Sequence, residues 1–376
     1  MVRLECNSTN FYNLSQLCLE RPDDTELCCF GDSSNSSVIV LRMILGSVAG
    51  LVCFLGVMGH LATLVAIPLA AMKKKHIFDT NFRRLAIFIL NLSFVELIIL
   101  LFLLLPVSYS LCADSWPFGS FLCKVTAVLY ETSCTLESTS IMLISLGRCI
   151  DMTKPVTWIK LTDNNIFLVF ILSVPWLLAI PPIILTLLSS PMVFIGWDCR
   201  LGICRGMILP TWINGSPHRN EKGEKKWKYL SLYIFIISLM AITCTVVSYV
   251  IIRRKVRQSQ KNLERLNQEQ MTSLDNQIRH REDKMTRTIL VLVVSHCVCN
   301  IPIIFNDFIG ESGLYMLTGL DMAIHDCLAY LFYIIMIFQY NFNVYIYGFT
   351  NKQFQKSYIH LFKYISCQPI IVNTYE

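Results

Sequence analysis

The chain has 376 residues, 54% of them hydrophobic and only 15% charged, with a mean hydropathy of +0.53. Soluble globular domains carry about 25% charged residues, so this composition excludes an ordinary water-soluble protein and places most of the chain in lipid. The formal net charge of +6 does not point to nucleic acid, because the basic residues stand beside apolar runs, where they meet anionic headgroups.

Met1 to Ser37 is polar and lacks the basic segment followed by an apolar one that marks a secretory leader. Residues 1–37 read as an extracellular tail with glycosylation sequons at Asn7, Asn13 and Asn35. Crossing roughly 30 Å of hydrocarbon takes about 20 helical residues, since no water reaches the backbone there. Seven runs meet that length and are numbered spans 1 to 7: Val38–Ala71, Phe82–Leu111, Gly119–Asp151, Asn165–Leu188, Tyr229–Ile252, Thr286–Ile309 and Leu317–Phe349. The predicted fold is an all-α membrane protein, a seven-transmembrane-helix bundle over residues 38–349.

Lys and Arg beside the span ends set the orientation. Lys73, Lys74, Lys75, Arg83 and Arg84 follow span 1, Arg253, Arg254, Lys255 and Arg257 follow span 5, and Lys352, Lys356 and Lys363 follow span 7. These segments face the cytosol, so the N-terminus is extracellular. The link between spans 4 and 5 breaks the trend with Arg200, Arg205, Arg219, Lys222, Lys225, Lys226 and Lys228, as long loops do. That link also holds a sequon at Asn214, while Asn91 matches the same pattern inside span 2. Of 16 cysteines, Cys6, Cys18, Cys28, Cys29, Cys112, Cys123, Cys199 and Cys204 fall outside, where disulfides persist.

No internal repeat of the transporter kind is visible. Neither Gly nor Pro occurs from Glu224 to Ile301, which predicts that spans 5 and 6 extend into the cytosol across Gln258 to Asp283. There Leu263, Leu266, Leu274 and Ile278 share a helical face, either a docking surface or a solvated hairpin. Residues 350–376 form the inner tail. Asn351 to Tyr364 reads as an interfacial amphipathic helix, with Phe354, Tyr358, Leu361, Phe362 and Ile365 for lipid, and Cys367 is a palmitoylation candidate.

Glu96 in span 2 and Glu137 in span 3 are intramembrane carboxyls, each costing about 2.5 to 3.5 kcal/mol to insert, so a bundle-facing role is expected. His60, His296 and His325 lie on separate spans without metal-ligand spacing, and Cys297 with Cys299 has no partners nearby; these read as structural, and no enzyme is indicated.

Trp116-Pro117-Phe118-Gly119 precedes Cys123, and Arg148 follows that Cys by twenty-five positions, inside Gly147-Arg148-Cys149, with Pro155 next in the inner link. Span 2 has Asn91-Leu92-Ser93-Phe94-Val95-Glu96-Leu97, span 4 Trp176, span 5 Tyr249, span 6 Cys299-Asn300-Ile301-Pro302, and span 7 Asn343-Val344-Tyr345-Ile346-Tyr347. From about Ile44 to Tyr358 this resembles the rhodopsin-like (class A) G-protein-coupled receptors. Within them, Gly147-Arg148, Ser115 to Gly119 and Arg281-Glu282-Asp283 show local similarity to the insect Moody-like orphan receptors and the medium-chain fatty acid receptor. The chain departs from the family at His60 for Asn, Glu96 for Asp, Gly147 for the acid beside the Arg, Ala241 for Pro, Asn300 for Trp and Val344 for Pro.

The resemblance implies a plasma-membrane receptor that carries an extracellular ligand signal to a heterotrimeric G protein by outward movement of span 6. Arg148 then meets the G protein, with Tyr249 and Tyr347 closing around it and Glu282 left as its resting restraint once Gly147 has removed the adjacent acid. Glu96, Glu137 and Asn343 line the family's sodium pocket, as a shared cation or proton site; no other cofactor is implied. Cys123 pairs with the outer link, Cys204 being preferred and Cys199 the other candidate. Tyr130, Glu131, Asp307 and Tyr333 face the ligand crevice, whose ligand is unknown. The competing readings are a transporter or channel, and a signalling-silent adhesion or decoy protein.

Overall fold

The computed structural model describes residues 36–73, 80–113, 115–188, 193–198, 203–208, 211–213, 216–218, 221–265, 290–302, 322–350 and 352–366. Span 1 is the helix Ser36–Lys73. Along it Ile44, Val48, Leu51, Leu55, Met58, Leu61 and Val65 are exposed at steps of three and four, while Ala49, Cys53, Val57, His60 and Thr63 are buried on the other side. A continuous apolar stripe of that size is an interaction surface, and on a helix of this length the partner is the hydrocarbon of a bilayer. The helices Arg42–Ala71, Arg84–Ala113, Asn165–Ile184 and Lys228–Gln258 are each long and apolar enough to cross a membrane.

Span 3, Gly119–Thr153, has the length but a polar interior face: Thr132, Ser133, Thr135, Glu137, Ser138, Thr139, Ser140 and Ser145 are all buried. It packs against spans 2, 4 and 5, so protein rather than lipid covers it. Several of its hydroxyls bond back to their own helix, among them Thr132 to Val128 O at 2.8 Å, Thr139 to Thr135 O at 2.6 Å and Ser140 to Leu136 O at 2.7 Å. In a water-free interior that local bonding satisfies the hydroxyl at little cost.

Prolines accompany two contacts between spans. A proline lacks the N–H that would bond the carbonyl four residues back. Pro106 follows a π-helical turn, Leu100–Leu104, that joins Thr80–Ile99 to Leu105–Ala113, and offers no N–H to the carbonyls of that turn. The hydroxyl of Thr126 in span 3 donates to one of them, Phe102 O, at 3.0 Å. Pro182 in span 4, Asn165–Leu188, leaves Leu178 without its ladder donor, and Tyr233 of span 5 donates to the Leu178 carbonyl at 2.9 Å. Each interrupted ladder is met by a bond from another helix.

Span 5 begins at Glu221 and continues to Arg265, so Lys222, Lys225, Lys226 and Lys228 lie on its first turns and not in the outer link, as the sequence suggested. Of span 6, Leu290–Pro302 is described, and of span 7, Met322–Thr350. The expected hairpin beyond Arg265, with Leu266, Leu274 and Ile278, lies outside the described residues. The inner link after span 3, read from sequence as a loop, is a short helix, Pro155–Asp163, opened by Pro155 at its first position. The expected amphipathic helix is Lys352–Ile365; its Phe354 is buried, and the Tyr358 hydroxyl lies 2.7 Å from Thr63 Oγ1 of span 1.

The outer link between spans 4 and 5 contains two antiparallel ribbons that the sequence reading did not anticipate. β1 (Val193–Asp198) pairs with β2 (Ile203–Ile208), Trp197 opposite Cys204, and β3 (Thr211–Ile213) pairs with β4 (Ser216–His218). Two apolar cores fill the bundle. One is built around Cys53, Leu100, Leu103, Leu104, Leu136 and Tyr340, and the other around Leu92, Ile144, Trp158, Leu292 and Phe354.

Candidate functional site

The outer end is closed by a disulfide between Cys123, near the start of span 3, and Cys204 of β2. Both cysteines are buried with Trp116. Trp116 Nε1 donates to Gly119 O at 3.1 Å, and Gly119 holds a φ of 74°, a conformation open to glycine and strained for other residues. That turn starts span 3 and sets Cys123 against the ribbon. Of the residues expected to face the crevice, Tyr130 and Glu131 are half-buried on the outer half of span 3. Tyr333 belongs to the span 7 helix but its side chain lies outside the described residues, as does Asp307 altogether.

Midway through the bundle, five spans bring polar side chains together. Glu96 and Glu137 are both 0% exposed. Asn343 Nδ2 of span 7 donates to Glu96 Oε1. His60 of span 1 lies with Nδ1 3.6 Å from Glu96 Oε2 and Nε2 2.9 Å from the carbonyl oxygen of Tyr340. On the other side, His296 Nδ1 of span 6 is 3.8 Å from Glu137 Oε1, and Asn300 Nδ2 is 3.5 Å from Glu137 Oε2. Asn300 and Gln339 amide nitrogens approach the same His296 nitrogen at 2.7 and 3.2 Å.

The sequence reading set His60 and His296 aside as structural, yet each faces one of the two acids. A signal for them was present. His60 and Asn300 are both departures from the family pattern, and His296 stands four residues before Asn300, on the same helical face.

At the inner end, Arg148 is 3% exposed, and its Nη1 donates to Asp151 Oδ2 at 2.7 Å, one turn along the same helix. The sequence reading had Glu282 as the remaining restraint on Arg148; the structure adds Asp151, an acid that reading missed. Asp151 is 8% exposed and sits in the last turn of span 3, where the helix dipole disfavours an anion. The guanidinium offsets that.

Gly147 has its own cause. A Cβ there would lie 3.1 and 3.2 Å from Trp158 Cζ2 and Cη2. Trp158, on the inner-link helix, stacks on Phe88 of span 2 with ring centroids 6.0 Å apart. A side chain at position 147 would press on that ring, and the acid that meets Arg148 stands three residues after it.

Tyr249 is half-buried at the inner part of span 5, and Tyr347 lies on the span 7 helix with its side chain outside the described residues. Glu282, Asn7, Asn13, Asn35, Asn214 and Cys367 also lie outside them. Among the described residues, no group of three or more His, Cys, Asp or Glu side chains is placed to hold a metal ion.

The chain is 26% identical over 256 residues to the prosaposin receptor GPR37 of Rattus norvegicus, a match covering 66% of this chain and 40% of that protein. It is 24% identical to the RYamide receptor of Tribolium castaneum, covering 77% and 72% of the two chains, and 25% identical to the neuropeptide Y receptor type 1 of Xenopus laevis, covering 84% and 79%. Residues 80–347 match the profile described as 7 transmembrane receptor (rhodopsin family). That match takes in more than half of the chain, with Glu96, Glu137, Arg148, His296 and Asn343 inside it: the protein is a multi-pass membrane receptor of the rhodopsin family, and not an enzyme.

Proposed function

We propose that this receptor acts at the plasma membrane, taking an extracellular ligand in a crevice lined by Tyr130, Glu131, Asp307 and Tyr333. It passes the signal to a heterotrimeric G protein by outward movement of span 6. The observation that carries the reading is Arg148, a buried guanidinium at the inner end of the central helix that meets Asp151 of its own helix. Swinging span 6 away exposes it to a transducer, with Tyr249, Asn343 and Tyr347 repacking around it and Glu282 adding a second restraint at rest. Glu96 and Glu137 form one intramembrane cation or proton site that biases the resting state. A relative named for neuropeptide Y makes neuropeptides the ligand class to screen first.

The test is nucleotide exchange on a panel of co-expressed G proteins, run with and without a peptide library, for the wild-type chain and Arg148→Ala. Coupling is expected in at least one class and is lost in the variant. Full coupling in Arg148→Ala refutes the role of the guanidinium, and solute flux without exchange on any G protein replaces the reading with that of a transporter.

A further inference from the structure

The polar layer raises a question of charge, because Glu96 and Glu137 are both sealed from water. His60 settles the first pair. Its Nε2 lies 2.9 Å from a backbone carbonyl oxygen, that of Tyr340. A carbonyl only accepts, so Nε2 carries a hydrogen. In the neutral ring that leaves a bare lone pair on Nδ1, and Nδ1 faces Glu96 Oε2 at 3.6 Å. Two lone pairs opposed in this way repel unless one of the two atoms carries a proton. The pair therefore holds one proton, and its net charge is zero whichever atom carries it. Between the two forms, neutral acid with neutral ring avoids burying separated charges, which costs several kcal/mol per ion.

The second pair reaches the same state by a different route. His296 Nδ1 is approached by the amide nitrogens of Asn300 and Gln339, which only donate. Cys134 Sγ donates to Asn300 Oδ1 at 3.7 Å, which fixes the orientation of that amide. With its Nδ1 lone pair accepting, His296 is a neutral ring and brings no positive charge to Glu137. Among the described residues, the charged or titratable groups turned toward the layer are His60 of span 1, Glu96 of span 2, Cys134 and Glu137 of span 3, His296 of span 6 and Tyr340 of span 7. None of these balances a carboxylate at Glu137, and an isolated buried carboxylate keeps its proton.

A sodium ion fits this surrounding poorly. A hard cation requires bare oxygen atoms converging on it. Here Glu96 Oε1 accepts from Asn343, and an amide nitrogen faces Glu137 Oε2; Glu96 Oε2 and Glu137 Oε1 accept no hydrogen bond, but each has an imidazole nitrogen before it, at 3.6 and 3.8 Å, where further oxygens would be needed. Imidazole is a ligand of transition metals rather than of hard alkali ions.

We infer that the ligand of the intramembrane site is the proton: Glu96, opposite His60, and Glu137, opposite His296, are both neutral acids in this state of the receptor. This rests on the reading that the two acids form one site, and it names what the site binds.

The experiment uses the full-length receptor in lipid nanodiscs, wild type, Glu96→Gln and Glu137→Gln. Infrared spectra in light and heavy water look for the carbonyl stretch of protonated carboxyls, and thermal unfolding is followed in sodium chloride and in choline chloride at equal ionic strength. The inference expects a carboxyl band that shifts in heavy water, loses one component in each variant, and is accompanied by the same melting temperature in either salt. A melting temperature raised by sodium over choline, and no longer raised in Glu96→Gln, overturns it while leaving the shared site intact. Absence of the band with sodium-independent melting overturns the neutral acids in favour of imidazolium–carboxylate pairs. If, in addition, both variants signal as wild type does, the shared site falls as well. Should one variant fail to fold, the heavy-water shift of the wild-type band and the other variant still decide.

Discussion

Replacing Asp151 with Asn keeps the shape of the side chain and removes its charge, leaving Arg148 against a neutral amide. The pair is nearly closed to solvent, with a 2.7 Å contact between Nη1 and Oδ2, so little screening reduces it. A hydrogen bond to a charged group contributes about 1.5–3 kcal/mol. If that energy is present only at rest, its loss raises the ratio of active to resting receptor by roughly 10- to 100-fold, since each 1.4 kcal/mol is about a factor of ten. The assay is ligand-free nucleotide exchange on co-expressed G protein, normalised to receptor surface density. Asp151→Asn is expected to raise exchange and Arg148→Ala to abolish it. An Asp151→Asn receptor with wild-type basal exchange, in a system where Arg148→Ala is dead, refutes the idea that this acid restrains the guanidinium.

Other outcomes follow from the same geometry. Gly147→Asp, which would restore the family's acid, drives a Cβ to 3.1 Å from Trp158; overpacking costs about 1–3 kcal/mol, so surface expression falls, and Trp158→Ala in the same chain restores it in part. Cys123→Ser removes the bond to Cys204 and, at about 2–5 kcal/mol for a native disulfide, lowers surface density as measured by flow cytometry. Thr126→Val takes away the donor that meets the Phe102 carbonyl and lowers the melting temperature by the equivalent of about 1–3 kcal/mol. Substituting Asn7, Asn13, Asn35 and Asn214 together with Gln leaves the receptor at the mobility of the enzymatically deglycosylated wild type on a gel, and a cytosolic N-terminal tail would leave the mobility unchanged by Asn7, Asn13 and Asn35.

Local chemistry made much of this protein legible without coordinates. Apolar run lengths marked the membrane helices because an unpaired peptide group in hydrocarbon is costly, and that cost acts on every span alone. Lys352, Phe354 and Tyr358 showed the interfacial helix by their spacing, and Cys123 with Arg148 located the central helix. The π-helical turn at Leu100–Leu104 and the inner-link helix Pro155–Asp163 escaped notice. The bonds from Thr126 and Tyr233 show why: the prolines that interrupt a ladder can be read from sequence, but not the residue on another helix that bonds there.

The functional layer divides along the same line. Composition and pattern alone determined that the chain spans a bilayer, that two carboxyls are carried into it, and that an Arg ends span 3. Only the packed bundle decided what those charges meet: His60 against Glu96, His296 against Glu137, and Asp151 against Arg148. Insertion into lipid is a property of a segment and is written along it. The pairing of a buried charge depends on which side chain of another helix stands within a few ångströms, and that distance exists only once the helices have packed.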